Sequence, residues 1–130
     1  MADRLLLVAV LALGLSACGD DRNRPVEDVA RSFYAAVASD DGPAACELLA
    51  PATRDELEQA SGKPCAEAIL EEDVPEVGDA QEVQVYGTAG QVTYGADTAF
   101  LGKFGGGWRV VAVACTARGP RPHDCDVAGG

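Results

Sequence analysis

Glu82-Val83-Gln84-Val85-Tyr86 opens a run of four apolar-alternating segments that decides the fold. Behind it come Gln91-Val92-Thr93-Tyr94, then Thr98-Ala99-Phe100-Leu101-Gly102-Lys103-Phe104, then Trp108-Arg109-Val110-Val111-Ala112-Val113-Ala114-Cys115. Apolar and polar residues alternate with the period of two that a half-buried strand requires. Residues 87–90, Gly95-Ala96-Asp97 and Gly105-Gly106-Gly107 separate the segments, and turns this short join antiparallel neighbours. The pattern predicts a four-stranded antiparallel meander. In its third strand Phe100 and Phe104 share a face, and in its fourth Trp108, Val110, Ala112 and Ala114 share one. Pro120 and Pro122 make the tail from Thr116 irregular.

Ahead of the strands the period is helical. Val26, Val29, Ala30, Phe33 and Val37 recur on one face of a first helix. Pro25 suits its first position, and a non-helical Arg24 would precede it. Gly42 and Pro43 end that helix and begin a second, which carries Cys46, Leu48 and Leu49 and stops at Pro51. A third, over residues 52–60, is polar except for Leu57. Pro64 opens a fourth in which Cys65, Ala68 and Ile69 share a face. Helices first and strands afterwards is the order of an α+β domain.

The N-terminus sets the address. After Met1-Ala2-Asp3-Arg4, residues 5–14 are apolar, which is too short to span a bilayer and fits a signal core. Leu15-Ser16-Ala17-Cys18 follows. The predicted division is a signal over residues 1–17, a polar tether over 18–24 and one domain over 25–130, since the chain is too short for two ordinary cores. The 130 residues carry 21 acids and 10 Lys or Arg, a net charge of −11 that excludes a basic nucleic-acid footprint. It also excludes a polybasic grip on anionic lipid. Hydrophobic residues make up 48% and charged residues 24%, the mix of a folded chain.

Of the five cysteines, Cys18 stands in the signal motif, leaving Cys46, Cys65, Cys115 and Cys125. Four cysteines in an exported chain read as two disulfides, with three connectivities open. Cys46–Cys65 and Cys115–Cys125 are favoured because each joins neighbouring predicted elements. A metal site is disfavoured: no C-x₂-C pair occurs, and the only histidine is His123.

Leu15-Ser16-Ala17-Cys18 resembles the lipobox of bacterial lipoproteins. That resemblance implies a diacylglycerol thioether on Cys18, acyl chains such as palmitate, and cleavage before Cys18. The membrane is then a partner and the outer face of the cell membrane the location. Val29-Ala30-Arg31-Ser32-Phe33-Tyr34-Ala35-Ala36 and Gly106-Gly107-Trp108-Arg109-Val110 resemble the first helix and last strand of NTF2-like (cystatin-like) domains. With Gly62-Lys63-Pro64-Cys65 and Pro122-His123-Asp124-Cys125, the chain is similar to small lipoproteins of high-GC Gram-positive bacteria. The resemblance implies a cone-shaped sheet wrapped around the first helix. Phe33, Tyr34, Phe100, Phe104 and Trp108 then line or fill a cavity.

Chemistry is sparsely signalled. Relatives of ketosteroid isomerase use Asp, Tyr or His on the cavity wall, and the candidates here are Asp97, Glu82, Tyr86 and Tyr94. Turn charges and half-buried strand tyrosines are the simpler account of all four. Arg109 beside Trp108 reads as a surface or stacking residue. No glycine-rich loop precedes a helix, no serine has a histidine at plausible reach, and Asp20-Asp21, Asp40-Asp41 and Glu71-Glu72-Asp73 lack the calcium-loop pattern. The expectation is a non-catalytic accessory domain without metal or cofactor, binding a small apolar ligand or a protein and no nucleic acid. The alternative is a small cavity enzyme of the isomerase or dehydratase kind.

Overall fold

A computed structural model describes residues 20–129, with side chains from residue 21. The expected signal and Cys18 lie outside the described residues. Four helices precede five strands: α1 Asp20–Ala38, α2 Gly42–Glu47, α3 Pro51–Ser61, α4 Cys65–Glu71, then β1 Glu82–Tyr86, β2 Ala89–Thr93, β3 Thr98–Phe104, β4 Gly107–Arg118 and β5 Arg121–Ala128. The strands form one open antiparallel sheet in the order β1-β2-β3-β4-β5. Helices cover one face of it, so the class is α+β. No helix among the described residues is long and apolar enough to cross a membrane.

The core lies between α1 and the sheet. Val26, Ala30, Phe33 and Tyr34 of α1 are buried with Val92, Ala99, Leu101, Val110, Val113 and Val127 of the strands. Their i, i+4, i+7, i+8 spacing is the stripe that periodicity requires. α1 begins earlier than expected, with Pro25 inside it rather than at its head. Pro25 forfeits one bond, to the Asp21 carbonyl, while Asp21 complements the positive end of the helix dipole. Residues 20–24, expected to be an extended tether, are therefore helical.

The other helices are short and pinned. Asp41 caps α2 by accepting from the Ala44 N–H at 3.2 Å. Gly62 ends α3 in the left-handed region at φ 69°, the conformation that suits glycine. Cys46–Cys65 ties α2 to α4 with a Cα separation of 6.1 Å. There the backbones nearly touch, since a Cβ on Gly42 would stand 2.0 Å from the Ala66 carbonyl oxygen. Only glycine fits.

Two expectations about the sheet need correction. First, the meander has five strands: the tail forms β5, and Cys115 faces Cys125 across the pair as the second disulfide. Pro122 is tolerated because β5 is an edge strand, whose outer side needs no donor. Second, Trp108, Val110, Ala112 and Ala114 do not share a face. Phe100 pairs with Ala112 but Leu101 with Val110, so Val111 is an extra residue in β4. This bulge shifts the alternation and sends Val113 into the core. The Val111 carbonyl is satisfied by the Thr53 hydroxyl at 2.8 Å and the Gly129 N–H at 3.2 Å. Where β5 stops, the α2–α3 connection takes over the edge of β4, with Ala50 N–H donating to Val110 O and Val110 N–H to Leu48 O.

Candidate functional site

Among the described residues a concentrated polar cluster in the core is built on Asp97, in the β2–β3 turn. Its side chain is buried, and its Oδ2 accepts from the Tyr34 hydroxyl at 2.7 Å and the Ala114 N–H at 2.8 Å. Oδ1 accepts from the Cys115 N–H, also at 2.8 Å. Those consecutive amides converge because Ala114 adopts φ 55°, a left-handed conformation rare for alanine. Asp97 thus holds α1, the β2–β3 turn and the bent part of β4 together. Burial, then the hydrogen bond and charge of Asp97, push the Tyr34 hydroxyl far above the usual phenol range.

Tyr94 packs edge-on against Tyr34 with ring centroids 5.1 Å apart. Its hydroxyl is buried without a hydrogen-bond partner. Burial, then the charge of Glu27, push it up to about 12, with Arg31 pulling the other way. Of the remaining acid–base candidates, Tyr86 is 66% exposed on the edge strand and Glu82 is exposed at its start. Among the described residues no three His, Cys, Asp or Glu side chains stand together as a metal shell.

The five aromatics expected to meet do not. Phe33, Tyr34 and Trp108 are buried in the core, whereas Phe104 is 43% exposed. Phe100 points to the other face of the sheet, where its ring meets His123 edge-on at 5.2 Å. Tyr94, not Phe100, completes the aromatic group around Tyr34. The strand alternation places Phe100 and Leu101 on opposite faces, and the core takes Leu101.

The outer face carries a hollow instead. Phe100, Ala112 and Ala128 stand in register across β3, β4 and β5. The small alanine side chains leave an open hollow of about 500 Å³, bordered also by Val111, Pro122 and His123. The signal for it in the sequence was the pair of alanines, hidden by the bulge that turns Ala112 outward. A second hollow, of about 410 Å³, lies where Phe104 and Arg109 approach the start of α3. It mixes Arg54 and Arg109 with Glu47 and Asp55; the Arg54 Nη2 donates to Cys46 O at 2.7 Å, while its buried Nε has no partner.

No protein-family model, curated protein or solved structure matches the chain. Function therefore rests on the chemistry of these surfaces. Asp97 borders neither of these hollows, and its three donors come from the protein itself. The outer hollow combines an aromatic wall, small side chains and one imidazole, the make-up of a seat for a small apolar molecule.

Proposed function

We propose that the chain is a non-catalytic, NTF2-like binding domain held by a lipid on Cys18 at the extracytoplasmic face of a bacterial membrane. Its ligand is a small apolar molecule seated in the outer hollow between Phe100 and His123. One observation carries the non-catalytic reading: every donor around the buried Asp97 carboxylate is a group of the fold, so it acts as a staple. A general base needs a lone pair within hydrogen-bond reach of substrate. The NTF2-like reading draws support from the long α1 laid across an antiparallel sheet. The location draws it from the lipobox and from two disulfides, which belong to oxidising compartments.

Two measurements test this. Mass spectrometry of the membrane fraction should find Cys18 acylated, and an unmodified thiol in mature protein refutes the anchor. Titration with an apolar fluorescent dye should give saturable binding that weakens about tenfold in Phe100→Ser, the loss expected for one aromatic contact. Binding unchanged by that substitution refutes the seat. The unpartnered Tyr94 hydroxyl beside Tyr34 favours a second reading, the small isomerase- or dehydratase-like enzyme. Turnover that Tyr34→Phe abolishes would establish it.

A further inference from the structure

The geometry points to a membrane-seating rim at the sheet end where the β1–β2 and β3–β4 hairpin tips stand beside the start of α1, its partner being an anionic lipid surface. In a meander these two tips necessarily lie at the same end of the sheet, and the Lys103 N–H ties them by donating to Thr88 O at 2.8 Å. Arg22 of α1 borders the same hollow as Gly87 and Lys103, so the two bases there outnumber its one acid, Asp21. The tips carry Tyr86, 66% exposed, and Phe104, 43% exposed, and the only other exposed large apolar side chain among the described residues is Leu70 in α4. An aromatic with exposed area and basic neighbours suits the bilayer interface, where one side is apolar and the other wet.

Charge distribution selects the same orientation. The strand residues that carry the tips, 83–93 and 98–110, hold no acid, against Lys103 and Arg109. The 21 acids lie outside them, most on the helices and the α4–β1 connection, with Asp97 at the opposite end of the sheet and Asp21 alone of the described acids bordering the rim hollow. An anionic surface repels that acidic layer and leaves the hairpin tips as the favourable side. The net charge of −11 excludes a free-standing polybasic grip, but none is needed. This inference rests on the proposed lipid at Cys18, two positions before the start of α1, which puts the anchor within about 7 Å of this end. A tether that short raises the effective concentration of lipid at the rim to the millimolar range, so a contact too weak to recruit the protein still orients it.

Deuterium exchange on the full chain tests the rim. Mass spectrometry first reports whether Cys18 carries its own lipid; if it does not, the thiol, the one cysteine outside both disulfides, is coupled to a maleimide phospholipid, so the rim is tested whichever way the anchor falls. The tethered chain, on vesicles of equal phosphatidylglycerol and phosphatidylcholine, is compared with the untethered Cys18→Ser chain. Amides of the two tips should exchange about threefold more slowly on vesicles, while α4 is unchanged. Tyr86→Ser combined with Phe104→Ser, both at exposed positions, should remove that protection. Tips that exchange equally with and without vesicles, or protection that survives the double substitution, would overturn the rim and leave the anchor standing.

Discussion

Replacing Asp97 with asparagine tests the staple with almost no change in volume. The carboxylate accepts three hydrogen bonds, from the Tyr34 hydroxyl and from the Ala114 and Cys115 amides. An amide has one oxygen and one donor group. If its oxygen takes the Oδ2 place, the NH₂ confronts the Cys115 N–H; if it takes the Oδ1 place, the NH₂ confronts the Ala114 N–H, though the Tyr34 hydroxyl can rotate to accept. Either way one backbone donor faces another donor. Leaving one buried group unsatisfied costs about 1–3 kcal/mol, and the surviving bonds lose their charge assistance. Asp97→Asn should therefore cost about 2–4 kcal/mol. Tyr34→Phe removes one bond and leaves Asp97 with two backbone donors, so it should cost about 1–2 kcal/mol. Because the pair shares a bond, the double substitution should cost less than the two separate effects together. Urea unfolding with the disulfides intact measures all three. An Asp97→Asn cost below about 0.5 kcal/mol, the range of ordinary surface changes, would refute the staple. So would a Tyr34→Phe cost exceeding it.

Loss of Cys46–Cys65, which closes a sequence separation of 19, should cost about 3 kcal/mol, and loss of Cys115–Cys125, with a separation of 10, a few tenths less. The first also locks α2 to α4, so thermal melting of the paired Cys→Ala variants should show the larger drop there; equal drops would refute the ranking. Gly42→Ala should destabilise by about 3 kcal/mol or more, because its Cβ meets backbone, whereas Gly78→Ala, with nothing within 4 Å, should be nearly neutral. Guanidinium unfolding of the two compares them. The phenol forms of Tyr34 and Tyr94 are favoured by folding, so their stabilisation is complete below about pH 10 and is lost as pH rises toward about 12 and beyond. Ultraviolet titration should find both phenolates appearing only in strongly alkaline solution or together with unfolding; ionisation of either near pH 10 in the folded protein would contradict their burial.

Strand positions and helix faces were legible because both follow from local period. Val26, Ala30 and Phe33 had to share a face whatever they packed against. Three features were not legible, and each depends on a partner distant in sequence. The fifth strand exists because Arg121–Ala128 finds the free edge of β4, which outweighs the poor strand propensity of Pro122 and Asp124. The bulge at Val111 exists because its carbonyl has donors waiting on α3 and at Gly129, and no run of valines and alanines announces that. The Tyr34–Asp97 bond spans 63 positions. The hint was there: Asp97 is the only acid between Glu82 and Asp124, and a lone acid in an apolar stretch calls for donors. For the candidate site, alternation put Phe100 and Phe104 on one face but could not say which face meets the helices.

Val111 acts on β4 as an inserted letter acts on a reading frame. Every residue after it is read onto the opposite side of the sheet from the one its position promises, until the left-handed turn at Ala114 bends the strand again. A chain that lost this one residue would pair Val110 with Leu101 and Ala112 with Phe100 without interruption, so Ala112 would still face outward and Val113 inward. A chain that kept Val111 but straightened the bulge would instead turn Ala112 inward and Val113 outward, trading a filled core position for a methyl group. What the deletion removes is the Val111 carbonyl, which leaves the Thr53 hydroxyl and the Gly129 N–H without their acceptor.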